Sequence, residues 1–140
     1  MAGRAPRKEV TRSAHLRIAR PTDRLDEIER QYVDGLGFER LGGFRDHDGF
    51  DGVMLGHPGA GYHLEFTREA GVPAGGAPSP EHLLVFYLPE EAEWQAACRR
   101  AEAAGWQHVP AHNPYWDRQG RTYADLDGYR VVLANFAWAK

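Results

Sequence analysis

The chain has 140 residues, a length that suits one domain with room for a hydrophobic core. Its 17 Lys and Arg against 20 Asp and Glu give a formal net charge of −3, which argues against nucleic acid as a partner. No apolar run is long enough to span a bilayer and no signal-peptide core is present, so we expect no membrane partner and a cytoplasmic location. The single cysteine, Cys98, cannot form an internal disulfide and is expected to be a packed thiol.

The first residues are basic but show no apolar periodicity, so 1–13 are expected to form a disordered tail; a basic arm for an anionic partner is the alternative. After it, Pro21 ends a first strand, and Thr22 or Asp23 can cap the helix that follows. Gly35 is expected to end that helix, because glycine enters the left-handed cap conformation without cost. The strands predicted in this half lie at about 15–20, 39–45, 52–56 and 62–67.

The second half repeats this order after a linker. Residues 70–80 are rich in proline, glycine and alanine, which fits no regular element. Pro89 and the glutamates after it then begin a second helix, and Gly105 stops it. Strands are predicted at about 83–88, 106–110, 121–125 and 129–134, with Asp127-Gly128 as a hairpin turn.

The repeat predicts an α+β fold of two βαβββ modules that form a curved mixed sheet around a cleft, with the helices on the convex side. We place module one at 14–69, the linker at 70–81 and module two at 82–137. Sheets of this kind leave unpaired edges, which favours a homodimer, with or without exchange of modules between chains.

The most regular strand is the run YHLEFT at 62–67. Its alternation buries Leu64 and Phe66 on one face and places His63 and Glu65 on the other. An ordinary solvated sheet face is the alternative explanation. The same alternation on the other strands predicts a concave surface that gathers Arg17, His63, Glu65 and Tyr87 as a candidate site. Arg130 either binds ligand on the same face or lies at an edge with its head in water.

Other side chains are weaker candidates. Tyr115 and Trp116 follow Asn113-Pro114 in what we expect to be a rigid loop, where they could stack on a planar ligand or cap the core of module two. His47 and His57 flank the short middle strands and either line the mouth of the cleft or lie in exposed turns.

Three motifs in this order resemble those of the vicinal oxygen chelate superfamily, the glyoxalases, bleomycin resistance proteins and extradiol dioxygenases. They are YVDGLGF at 32–38, YHLEFT at 62–67 and DLDGYR at 125–130. The resemblance covers about 14–137 and implies an enzyme of lyase, isomerase or dioxygenase type that acts on a small oxygen-rich or anionic substrate, with Glu65 as its base. The alternative it implies is a non-catalytic protein that sequesters a ligand or antibiotic. A purely structural role ranks third.

In metal-dependent members of this superfamily, His, Gln or Glu from the first, fourth, fifth and eighth strands hold a divalent ion. The resemblance implies Glu65 as the fourth-strand ligand, but the first-strand position falls on Arg17, whose permanent charge repels a cation. No cofactor is therefore favoured. A one-residue strand slip would instead bring His15 and His82 beside Glu65, which leaves a divalent metal as the alternative.

Overall fold

The computed structural model describes residues 11–139, so the tail expected at 1–13 lies, up to residue 10, outside the described residues. Two βαβββ modules follow one another, which confirms the predicted α+β fold. Module one comprises β1 (Leu16–Pro21), α1 (Leu25–Leu36), β2 (Glu39–His47), β3 (Phe50–Gly56) and β4 (Tyr62–Glu69). Module two comprises β5 (Leu83–Tyr87), α2 (Glu91–Ala103), β6 (Gln107–Val109), α3 (Tyr115–Arg118), β7 (Gly120–Ala124) and β8 (Arg130–Ala134). Within 11–139, no helix has the length and apolar composition needed to cross a membrane.

Each module contributes a four-stranded mixed sheet, in the order β1-β4-β3-β2 and β5-β8-β7-β6. The first strand of each module pairs in parallel with the last, and the remaining pairs are antiparallel. In the first sheet Arg17 lies opposite His63, and Ile18 lies opposite Leu64. This register places alternate residues of β1 and β4 on the same face of the sheet.

Both modules bury their helix-facing sides in one hydrophobic core. Leu64 and Phe66 are each 1% exposed there, as the alternation predicts, and they share the core with Val131 and Leu133 of module two. Cys98 is also buried, as expected of a packed thiol. Because the two helix-facing sides meet, the opposite faces of the sheets point away from the core. We call these the outer faces.

Gly35 does not end α1, contrary to the prediction. The helix continues to Leu36, and Gly37 caps it at a φ of 75°, with its N–H donating to the carbonyl of Val33 at 3.1 Å. Gly35 is buried under Trp106 of module two, whose indole Nε1 donates to the carbonyl of Gln31 at 2.8 Å. A Cβ at Gly35 would overlap that indole, so the glycine serves close packing between modules.

The segment between the modules forms no helix or long strand, as predicted, but the structure ties it down. The N–H of Ala74 donates to Asp23 Oδ1 at 3.0 Å, and the N–H of Ala77 donates to the carbonyl of Asp127 at 2.9 Å. Asp23 therefore anchors this segment and does not cap α1. Thr22 Oγ1 accepts the N–H of Arg24, the residue before the helix, at 3.0 Å, and no side chain caps α1.

A buried polar bridge joins α1 to the β7–β8 turn. The Tyr32 hydroxyl donates to Asp125 Oδ2 at 2.6 Å, and the N–H groups of Asp127 and Tyr129 donate to Asp125 Oδ1 at 2.8 and 3.0 Å. Burial raises the pKa of Asp125, and these three donors oppose the rise by stabilising the carboxylate. The bridge fixes the position of module two on module one.

We predict that Gly35→Ala destabilises the protein, although alanine is the better helix former. In a solvent-exposed helix the change would raise the free energy of unfolding by about 0.5–1 kcal/mol. Here a methyl group forced into the packed contact should lower it by about 1–3 kcal/mol. Urea unfolding measures the difference. Gly61→Ala is the matched control, because no atom lies within 4 Å of its added Cβ, and it should change stability by less than about 0.5 kcal/mol. Equal stability of the Gly35 variant and the native protein would contradict this packing.

Candidate functional site

A polar network lies on the outer face of the first sheet, where β1 and β4 run side by side. Arg17 Nε donates to His63 Nε2 at 2.8 Å, and Arg17 Nη1 donates to Glu65 Oε2 at 3.2 Å. His15, just before β1, contacts His63 Nδ1 through its Nε2 at 2.5 Å. The parallel pairing of Arg17 with His63 explains why these side chains meet. The structure thus brings together three of the predicted site residues, Arg17, His63 and Glu65, with His15 beside them.

These contacts fix the tautomers of both histidines. An arginine Nε always carries a proton in a protein, so His63 Nε2 must accept it and has no hydrogen of its own. A neutral His63 then carries its proton on Nδ1 and donates it to His15 Nε2. His15 in turn holds its proton on Nδ1. Burial, followed by the positive charges of Arg17 and His15, lowers the pKa of His63, while Glu65 acts in the opposite direction.

The ion pair between Arg17 and Glu65 contributes little to stability. The Arg17 side chain is 48% exposed and that of Glu65 is 14% exposed, so solvent screens the attraction. Pairs of this kind are typically worth about 0–1 kcal/mol. The network therefore orients its members and does not hold the sheet together. Arg17 Nη2 has no partner among residues 11–139 and is free to bind a ligand.

The donor set on this face does not suit a divalent cation. The guanidinium of Arg17 bonds both His63 and Glu65, and its fixed charge would repel a metal placed between them. In the part of the chain that the structure describes, no three His, Cys, Asp or Glu side chains are grouped so that they could hold a metal. The alternative set of His15, Glu65 and His82 is thus not assembled within one chain.

The outer face of the second sheet has a different character. Tyr87 and Phe136 lie 5.4 Å apart by ring centroid, and the rings of Trp116 and Phe136 stack at 6.5 Å with an interplanar angle of 16°. With Tyr115 and Trp138 these residues form what we call the aromatic cluster. Phe136 and Trp138 were not among the predicted site residues, because no sequence pattern indicates that the end of the chain returns to Tyr87.

The remaining predicted residues have other positions. Arg130 Nη1 donates to the carbonyl of Pro110 at 3.2 Å, which fastens the segment before α3 to the sheet. Residues 113–116, expected to be a rigid loop, lead into the short helix α3, which begins at Tyr115. His47 is exposed beside Asp48, and His57 meets the ring of Phe38 edge-on at 5.3 Å. A cavity of about 210 Å³ next to α3 is lined by Thr122, whose buried Oγ1 has no hydrogen-bond partner among residues 11–139.

Comparison with known proteins gives the fold and the family. Residues 16–67 match the YycE-like N-terminal domain, and residues 81–135 match the YycE-like C-terminal domain. The YycE protein of Bacillus subtilis, itself uncharacterized, is 48% identical over 123 residues, which is 88% of each chain. Its crystal structure matches with a TM-score of 0.82 and 46% identity, covering 91% of this chain and 95% of that one.

More distant structures share the fold alone. FosX, a fosfomycin resistance protein of Listeria monocytogenes crystallised with Mn(II) and a dihydroxypropylphosphonic acid, has a TM-score of 0.66 at 13% identity, covering 87% and 91% of the two chains. An antibiotic-binding protein, TnmS3, from a Streptomyces species has a TM-score of 0.58 at 21% identity, covering 86% and 93%. The chain thus has the fold of the glyoxalases and of the fosfomycin and bleomycin resistance proteins, the class that its motifs resemble. Within that class it belongs to the YycE-like family.

We predict that His63 is the Nδ1-protonated tautomer at pH 7.5, because Arg17 Nε occupies its Nε2. Long-range 1H–15N spectra of the labelled protein distinguish the two tautomers directly. In Arg17→Gln the imidazole should shift towards the Nε2-protonated form that free histidine prefers. Arg68→Gln, at the exposed end of β4, should leave the spectrum of His63 unchanged. An Nε2-protonated His63 in the native protein would refute the arrangement.

Proposed function

We propose that the outer faces bind a small anionic, oxygen-rich molecule and that the protein acts on it as an enzyme of lyase or isomerase type. The observation that supports this is Arg17, a permanent cation held in one orientation by an imidazole and a carboxylate on an open sheet face. Two of its contacts use Nε and Nη1, so the N–H groups of Nη2 remain for an oxyanion. A guanidinium suits a carboxylate or phosphonate, which it can bind with two parallel hydrogen bonds.

Glu65 is the proposed base. Its Oε2 accepts a hydrogen bond from Arg17, while Oε1 has no partner among residues 11–139 and can take a proton from a substrate bound at Arg17. Removal of a proton beside a bound carboxylate places negative charge on an oxygen next to the guanidinium, which stabilises it. His63 positions Arg17 for both steps. The proton moves from substrate carbon or hydroxyl to Glu65 and returns to the product.

We also propose that two copies of the chain complete the cleft. Arg17 lies on the outer face of one sheet and Tyr87 on that of the other, so a ligand that contacts both needs the two faces to meet. The free edges β1 and β5 are suited to this, because each pairs on one side only. Large apolar side chains are exposed near both: Leu16 of β1 is 56% exposed, and Trp138 beside Tyr87 is 78% exposed. A homodimer that exchanges modules would cover them.

The second candidate function is sequestration of a ligand without chemistry, and the aromatic cluster favours it. Tyr87, Tyr115 and Trp116 offer ring faces for a planar molecule, as a binder requires. The fold is shared with the antibiotic-binding TnmS3. For either function we expect the protein to work in the cytoplasm.

The anion site is tested by calorimetry with small phosphonates and hydroxy acids. Arg17→Gln should weaken binding by at least tenfold, because it removes the only cation of the network, and Arg68→Gln should leave it unchanged. Glu65→Gln should retain binding but abolish turnover of any compound that the native protein converts. Binding that survives Arg17→Gln would overturn the proposal, and native turnover that survives Glu65→Gln would exclude Glu65 as the base.

The shared cleft is tested by mixing two inactive variants. Arg17→Gln removes the ligand contact on the first sheet, and Tyr87→Ala removes the contact on the second. A mixed dimer with exchanged modules combines the unchanged first sheet of one chain with the unchanged second sheet of the other, which makes one intact site. Ligand binding should therefore return when the two variants are refolded together. Each variant refolded alone should stay inactive. A monomeric mass by sedimentation at micromolar concentration, or no recovery in the mixture, would count against exchange.

A further inference from the structure

A second cavity lies on the helix-facing side of the sheets, on the opposite side of β4 from the polar network. Its volume is about 350 Å³, and neither Arg17, His63 nor Glu65 contributes to its walls. The walls are mainly apolar and come from both modules: Leu36, Phe38, Tyr62, Phe86, Leu88 and Leu133. One side is α2, through Glu93, Ala96, Ala97 and Arg100. We call this space the inter-module cavity.

The cavity exists because the two helices differ at matching positions. Helix α1 faces the core with Leu25, Ile28 and Tyr32, and α2 repeats that spacing with Trp94, Ala97 and Ala101. In module one Ile28 is fully buried at the middle position of this spacing. In module two the corresponding residue is Ala97, a smaller side chain that lines the cavity. Packed interiors contain few voids larger than a water molecule, so a space of this size is a binding feature of the fold.

The polar side chains that line the cavity are Tyr62, Glu93, Arg100 and His57, whose ring meets that of Phe38 edge-on. The guanidinium of Arg100 lies against Gly37, close enough that a Cβ there would stand 2.8 Å from Nη1. Within the described residues Arg100 has no carboxylate partner. Tyr62 also lines the cavity, and its hydroxyl has no partner among residues 11–139. Burial raises the pKa of Tyr62, so the phenol stays protonated and can donate. Glu93 stands roughly two helical turns, about 10 Å, before Arg100.

We propose that the inter-module cavity binds a small aromatic carboxylic acid, with its ring between Phe38, Phe86 and Ala97 and its carboxylate paired with Arg100. The aromatic walls match a flat apolar body: the half-buried ring of Phe86 meets the buried ring of Phe38 edge-on at 6.1 Å. The unpaired guanidinium supplies bidentate binding of a carboxylate. Glu93 at the far end repels a second negative charge, which orients a monoanion towards Arg100. This site does not depend on the function proposed for the outer faces.

The test uses two probes of one shape, 2-naphthoate and the uncharged 2-naphthol, titrated calorimetrically into the native protein. We expect one naphthoate per chain, bound more tightly than naphthol. Ala97→Leu should weaken both probes at least tenfold, because the added side chain occupies the space of the ring. Arg100→Gln should reduce naphthoate binding to the level of naphthol. Arg99→Gln, next on the same helix but outside the cavity, is the matched control and should change neither.

Several outcomes would overturn the proposal. One is the absence of naphthoate binding at millimolar concentration. Another is binding that Ala97→Leu leaves intact and Arg17→Gln removes, since the probe would then occupy the outer face. If Ala97→Leu does not fold, Ala96→Leu, at the exposed lip of the cavity, replaces it. If Ala96→Leu changes the oligomeric mass in solution but leaves naphthoate binding intact, the cavity is part of an interface between two copies of the chain and not a ligand site.

Discussion

The hydrogen bond from Tyr32 to Asp125 is the interaction on which the arrangement of the two modules depends. It is buried, and a buried donor or acceptor left without a partner costs about 1–3 kcal/mol. Two more contacts of α1 with module two surround it, from Trp106 to the carbonyl of Gln31 and from the N–H of Leu126 to the side chain of Gln31. Together they set one position of module two on α1, because any sliding would break all three.

This docking explains where the candidate site can be. Once the helix-facing sides share one core, the polar network and the aromatic cluster lie on the outer faces of the sheets. The two faces are chemically different: the first carries Arg17, His63 and Glu65, and the second carries an aromatic cluster around Phe136. Charge recognition and ring stacking are therefore separated within one chain. A ligand that needs both requires a second copy.

Arg17 also limits the chemistry of the first face. A metal ion polarises an oxygen by accepting its electron pair, whereas a guanidinium only donates hydrogen bonds in a fixed plane. Arg17 can therefore stabilise a negative oxygen but cannot activate water as a metal does. Under the proposed function, this residue and Glu65 would together support proton abstraction beside an existing anion. Relatives that share only the fold are free to use other groups at the same place.

The sequence determined the local structure. The alternation at 62–67 correctly assigned Leu64 and Phe66 to the core, and the repeated order of strands and helices gave two βαβββ modules, because both patterns arise from neighbouring residues. The motifs of the three matching stretches likewise indicated the superfamily. The alternation also placed Arg17 and Glu65 on the side of their strands that faces away from the core, whereas the pairing of β1 with β4 that brings them together is a contact between distant segments.

The tertiary structure decided what depends on contacts between distant segments. Gly35 is a packing residue because Trp106 lies on it, and Asp23 anchors the linker because Ala74 passes beside it. The separation of Tyr87 from Arg17 follows from the docking of module two on α1. Hydrophobic periodicity within a helix or strand shows which of its faces is buried, but it does not identify the element that packs against that face. These features could be known only once the two modules were placed against each other.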